Sequence, residues 1–127
     1  MNKLKITGMI LALIIAVMIA SQIYLAKSSQ CMAKSIAAVQ TSYNQSGNSP
    51  ATQKKMRQFF SLWQKNSRIL PTILKHSELD IVNESVAKLP AYLKDDQPSD
   101  FDAECDMLKM QLIHLWNVEK INWENIL

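Results

Sequence analysis

Glycine is almost missing from this chain, which contains only Gly8 and Gly47. A glycine-rich phosphate cradle is thereby excluded, because such loops need several residues without a Cβ where the backbone meets the phosphate. There are two cysteines, Cys31 and Cys105, too few for more than one disulfide. No GxSxG, HExxH or CxxC pattern occurs, so the sequence points away from an enzyme and implies no cofactor. Acidic residues are missing from the first 77 positions, which hold ten lysines and arginines. All eleven acids lie from Glu78 onward, against four lysines. Two basic segments packing beside two acidic ones is the plain reading of that partition. A basic face lying on anionic lipid or wall polymer is the sharper one. Nucleic-acid binding fits poorly with an acidic second half.

What the sequence has in excess is one long apolar run. From Ile6 to Leu25 there is no charged residue, and Leu11, Ile15 and Ile19 fall within it. About 20 helical residues cover roughly 30 Å, the thickness of a bilayer's hydrocarbon core. Tyr24 stands where an interfacial aromatic belongs, and Lys27 can reach headgroups. Residues 1–26 therefore read as a membrane anchor and 27–127 as the domain that it carries. A cleaved signal peptide is the competing reading, since Lys3 and Lys5 form a basic leader. Met18 stands where a cleavage site needs a small residue, and Gln30 rather than a small residue precedes Cys31, so an uncleaved anchor is favoured. The slight excess of positive charge before the span places the N-terminus in the cytoplasm and the domain outside it, at the cell membrane.

Beyond the anchor, three stretches of turn chemistry separate four segments with helical periodicity. The turns are 44–50, 75–77 beyond Pro71, and 95–99. The first segment continues from the anchor with Met32, Ile36, Val39 and Tyr43. The second carries Met56, Phe59, Phe60, Trp63, Leu70 and Leu74. The third has Leu79, Val82, Val86, Leu89 and Leu93, and the fourth has Phe101, Cys105, Leu108, Leu112 and Leu115. Each apolar stripe needs a partner, so the expected fold is all-α, with a transmembrane helix running into an antiparallel bundle of about four helices. Ser77, and Ser99 or Asp100, are expected helix caps, and Pro90 is expected to kink the third helix or mark its last turn.

In that topology Cys31 and Cys105 sit at opposite ends of the bundle, roughly 20 Å apart, whereas a disulfide needs α-carbons within about 7 Å. Cys105 reads as a core thiol and Cys31 as surface. The cluster His76, Glu78 and Asp80 contains metal-ligand types, but neighbours along a helix do not face one another. A helix start with acids in its first turn explains the cluster better, so no metal is expected. At the C-terminal end, Trp123, Ile126 and Leu127 are large apolar residues where termini fray. They either fold onto the bundle or meet a partner, and together with His76, Glu78 and Asp80 they are the candidate interaction residues.

The basic leader, the single anchor, His76-Ser77-Glu78-Leu79-Asp80, Leu89-Pro90-Ala91-Tyr92-Leu93 and the closing Glu124-Asn125-Ile126-Leu127 resemble the domain-of-unknown-function 4363 family. These are short membrane-anchored proteins of Gram-positive, often spore-forming, bacteria. Pro71, Pro90 and the cysteine pair depart from the family's pattern. The resemblance implies no activity and no catalytic residue, but it does imply a neighbouring integral membrane protein as partner. The function expected is a non-catalytic envelope interaction or scaffold protein. The alternative is an envelope sensor with a ligand pocket between helices near Trp63 and Trp116.

Overall fold

The computed structural model describes residues 2–126, with side chains described for residues 2–117. Its elements are α1 (Asn2–Ser46), α2 (Pro50–Ser67), a short 3-10 helix (Leu70–Thr72), α3 (His76–Lys94) and α4 (Pro98–Ile126). The all-α bundle expected from the apolar stripes is what forms. With no glycine or proline between Gly8 and Gly47, nothing interrupts α1, which runs as one helix of 45 residues.

Helix ends follow local chemistry. Gly47 takes a left-handed conformation with φ +64°, and its N–H closes α1 by donating to the Tyr43 carbonyl at 2.7 Å. Ser49 then caps α2, its hydroxyl accepting from the Thr52 N–H at 3.3 Å with Pro50 as the first helical residue. The expected cap Ser77 lies inside α3 instead. Helix α3 starts two residues earlier, because the Lys75 carbonyl accepts from the N–H groups of Glu78 and Leu79. Likewise α4 begins at Pro98, which puts Ser99 and Asp100 in its first turn. Pro90 is accommodated inside α3, near its end. Pro71 is not accommodated in α2, which stops at Ser67 and hands over to the 3-10 turn holding buried Leu70.

The four stripes meet in one core. Met32, Ile36 and Val39 of α1, Phe59 of α2, Leu89 of α3, and Phe101, Cys105, Leu108 and Leu112 of α4 are fully buried. Burying each such side chain contributes on the order of 1.5–3 kcal/mol. Helix α1 packs against α2 and α4, and α4 packs against α3. Contacts between distant residues fix the register. Ser42 shares a hydrogen bond with Thr52 at 2.8 Å, and the Tyr24 hydroxyl donates to Asn66, so α2 descends along α1. Tyr43 stacks on Phe101 with centroids 4.5 Å apart, and Gln40 Nε2 donates to Asp102 Oδ1 at 2.6 Å and to Asp106 Oδ1 at 3.0 Å. Helix α4 is thus antiparallel to α1. Cys31 and Cys105 are both free, Cys31 exposed and Cys105 buried, as the up-and-down topology requires.

The basic and acidic halves do not join through ion pairs among the described residues. The pairs described are Glu84–Lys88, Asp106–Lys109 and Glu78–His114, all within the acidic half. Where the halves touch, uncharged donors from α1, namely Gln40 and Tyr43, reach carboxylates of Asp102, Asp106 and Asp96. Basic α1 does pack beside acidic α4, but through these uncharged donors, while the cations of α1 and α2 are exposed.

Candidate interaction surface

Helix α4 carries more apolar residues than one buried stripe can use. Between its core positions lie Met107, Met110 and Ile113, spaced by three residues and therefore aligned on a second face. All three are at least half exposed, Met110 at 68%. Ile81 of α3 is half exposed as well. An open groove of about 460 Å³ runs along α4, lined by Met107, Met110, Gln111, Ile113, His114 and Asn117. It continues into a smaller cleft of about 190 Å³ between α3 and α4, which includes Ile81, Glu84, Lys88 and Glu104 and shares Met107 and Gln111 with the first.

The rim of this strip is mostly acidic. Glu78, half-buried at the start of α3, faces His114 Nε2 at 3.9 Å. Glu84 and Glu104 flank the upper part. Unbranched, polarizable methionines adapt to an irregular partner, so a methionine-centred strip with an acidic border suits an amphipathic, basic surface. Nothing in the strip pairs a nucleophile with a base.

Of the sequence-derived candidates, Glu78 reaches this surface through His114, while His76 and Asp80 are exposed and do not converge with it. Among the described residues no group of three or more His, Cys, Asp or Glu side chains could hold a metal. Trp123, Ile126 and Leu127 lie outside the residues whose side chains are described. Of the anchor residues, Ile6, Leu11, Ile15 and Ile19 are exposed. Leu25 is a correction: it is fully buried and opens the bundle core, so the exposed apolar segment ends at Ile23 and half-buried Tyr24. The strip residues Ile81, Met107, Met110 and Ile113 escaped sequence reading. The available signal was an apolar excess on α4 beyond one helical stripe. Trp63 is buried with its Nε1 donating to Asn83 Oδ1 at 3.2 Å, and Trp116 packs half-buried on the core. The pair lines none of the clefts described above.

The pKa shifts in the domain follow from packing. Burial, and then Asp102, push the Cys105 thiol up to about 12. Burial and the bond to Asp96 raise the Tyr43 hydroxyl. The hydrogen bonds from Gln40 and Lys109 lower the Asp106 carboxyl. None of these groups lines the groove along α4.

A family model described as "Domain of unknown function (DUF4363)" matches residues 19–126, which takes in the last turns of the apolar segment and nearly all of the bundle. No curated protein and no solved structure matches the chain. The chain belongs to the family whose model it matches.

Proposed function

We propose that this member of the DUF4363 family is a single-pass membrane protein whose bundle holds another membrane protein of the envelope, without chemistry of its own. Support for the anchor is the apolar segment of α1, the one helix described that is long and apolar enough to cross a membrane. Only 6% of its most apolar stretch is buried, so the bundle does not shelter it, and exposing some twenty apolar residues to water would be costly. In this reading the N-terminus lies in the cytoplasm and the bundle outside it, the arrangement favoured by Lys3 and Lys5.

The observation that carries the interaction role is the strip Ile81, Met107, Met110 and Ile113. Since α4 lies antiparallel to α1, and α1 continues into the span, the strip faces sideways along the membrane. A neighbour anchored in the same membrane can reach it side by side. Its complementary surface is an extramembrane helix with apolar residues at three- and four-residue spacing and basic flanks.

A photoreactive residue at position 110, in the full chain in native membranes, should crosslink to one membrane protein. Ile113→Glu should abolish that product while leaving thermal stability within about 0.5 kcal/mol, as for other exposed positions. Crosslinks from position 110 that matched those from Gln58, exposed on α2, would refute the proposal.

A further inference from the structure

We infer that the cleft between α1 and α2, where the span enters the bundle, binds the headgroup of an anionic phospholipid. The inference rests on the membrane-anchor reading above and adds a ligand to it.

The level of the cleft is set by α1. Ile23 is half exposed, Tyr24 is half-buried, and Leu25 is wholly enclosed. The change from lipid-facing to bundle-facing helix therefore takes about one turn, and headgroups lie beside residues just after it. Helix α2 descends antiparallel and delivers its last turns to the same height, where the Tyr24 hydroxyl donates to Asn66. Between the two helices is a cleft of about 250 Å³ whose lining includes Tyr24, Lys27, Ser28, Leu62 and Lys65. A second cleft shares Lys65 and continues to Arg68 and Ile69.

Three cations thus line two adjoining clefts that share Lys65. Lys65 lies in the last turn of α2 and Arg68 directly follows that helix, and Lys27 stands across the cleft from Lys65. All three are exposed, and among the described residues none forms an ion pair. Positive charges gathered with no acid in the first 77 residues repel one another unless an anion lies between them. The apolar lip supplied by Tyr24, Leu62 and Ile69, the last 41% exposed, selects the kind of anion. A phosphodiester attached to a glycerol backbone meets cations and apolar surface together, and interfacial tyrosine and snorkelling lysine suit that boundary. A wall polymer would meet Lys54, Lys55 and Arg57 instead. These lie near the start of α2, roughly 15 Å farther from the membrane and beyond a Debye length.

The test uses the full chain reconstituted in bilayers of equal phosphatidylglycerol and phosphatidylcholine, extracted in mild detergent and weighed by native mass spectrometry. One phosphatidylglycerol should remain bound in preference to phosphatidylcholine. The triple change K27Q/K65Q/R68Q should lower its retention at least tenfold. K54Q/K55Q/R57Q, equal in charge but distal, should leave it unchanged. Cys31 lines the cleft and is exposed, so an uncharged, impermeant maleimide should modify it at least threefold more slowly in bilayers containing phosphatidylglycerol. The proximal triple change should remove that protection, and a circular-dichroism melt confirms that each variant folds. Equal losses from both triple changes, no lipid preference, or displacement of the lipid by inorganic phosphate would each overturn the inference while the anchor reading stands. Release of the protein from the bilayers by alkaline carbonate would overturn both.

Discussion

Alkaline pH should destabilise the bundle through one buried atom, the sulfur of Cys105. The side chain is fully enclosed on α4, and burial together with the Asp102, Asp106 and Glu104 carboxylates opposes ionisation, with Lys109 partly offsetting them. The thiol is thereby raised from 9.0 to about 12. Below pH 9 it is protonated in both the folded and unfolded chain and has no effect on the balance. Between pH 9 and about 12 the unfolded chain ionises while the folded one holds its proton, so stability falls as pH rises through that window. At pH 10.5 the difference amounts to roughly 2 kcal/mol, from about 1.5 pH units at 1.36 kcal/mol each. That is a substantial part of the ~5–15 kcal/mol that holds a typical domain folded. The comparison is the full wild-type chain against Cys105→Ala, in mild detergent, unfolded by urea at pH 8 and pH 10.5 and followed by tryptophan fluorescence, with buried Trp63 among the reporters. Removing the sulfur costs something at both pH values through the cavity left behind, but it removes the pH-dependent loss. The wild type should lose about 2 kcal/mol more than the variant between the two conditions. A thiol reagent should also modify Cys31 at once and Cys105 only as the bundle opens. Equal pH dependence in both proteins, or equal modification rates of the two cysteines in the folded chain, would refute the reasoning.

Two further outcomes follow from the contacts between helices. Gln40→Leu removes the donor that holds the Asp106 carboxylate low, so NMR titration should find Asp106 shifted upward. The acid limb of stability that this carboxylate supports, present above its unfolded pKa and lost as pH falls through the folded one, should weaken. Gly47→Ala puts a Cβ where there is open space but φ is +64°, so the cost is one of backbone conformation, about 1 kcal/mol, read as a lower urea midpoint with an unchanged slope. A neutral result at position 47 would mean that α1 ends elsewhere.

The parts of the fold that depend on local spacing were readable in advance. Met32, Ile36, Val39 and Tyr43 recur at the spacing of a helix face whatever packs on it, and Gly47 marks the one place where α1 could end. Helix starts were less legible. Ser77 has the chemistry of a cap, yet the Lys75 carbonyl accepts two N–H groups and opens α3 earlier, a choice made by the 3-10 turn that delivers the chain there. Contacts such as Gln40 with Asp102 join residues 62 positions apart and leave no trace in any periodicity. The outward strip was hidden for a different reason. Methionine and isoleucine on a helix look alike whether they serve a core or a surface, and only the packing of α3 on α4 decides that Leu108 goes in while Met107 and Met110 stay out. The basic cleft likewise needed the register of α2 against α1 before Lys27 and Lys65 could be neighbours.

The unbroken α1 also works as an axle. Each residue of an α-helix advances the chain by about 1.5 Å and turns it by about 100°. One residue added or removed inside the exposed apolar stretch of α1 would therefore spin the whole bundle by more than a quarter turn relative to the N-terminal end of that helix, while lifting it hardly at all. The Met110 strip would then face another way. Length within that stretch is thus a setting of compass bearing, and relatives that share the bundle but differ there by a single residue would aim the same surface in another direction.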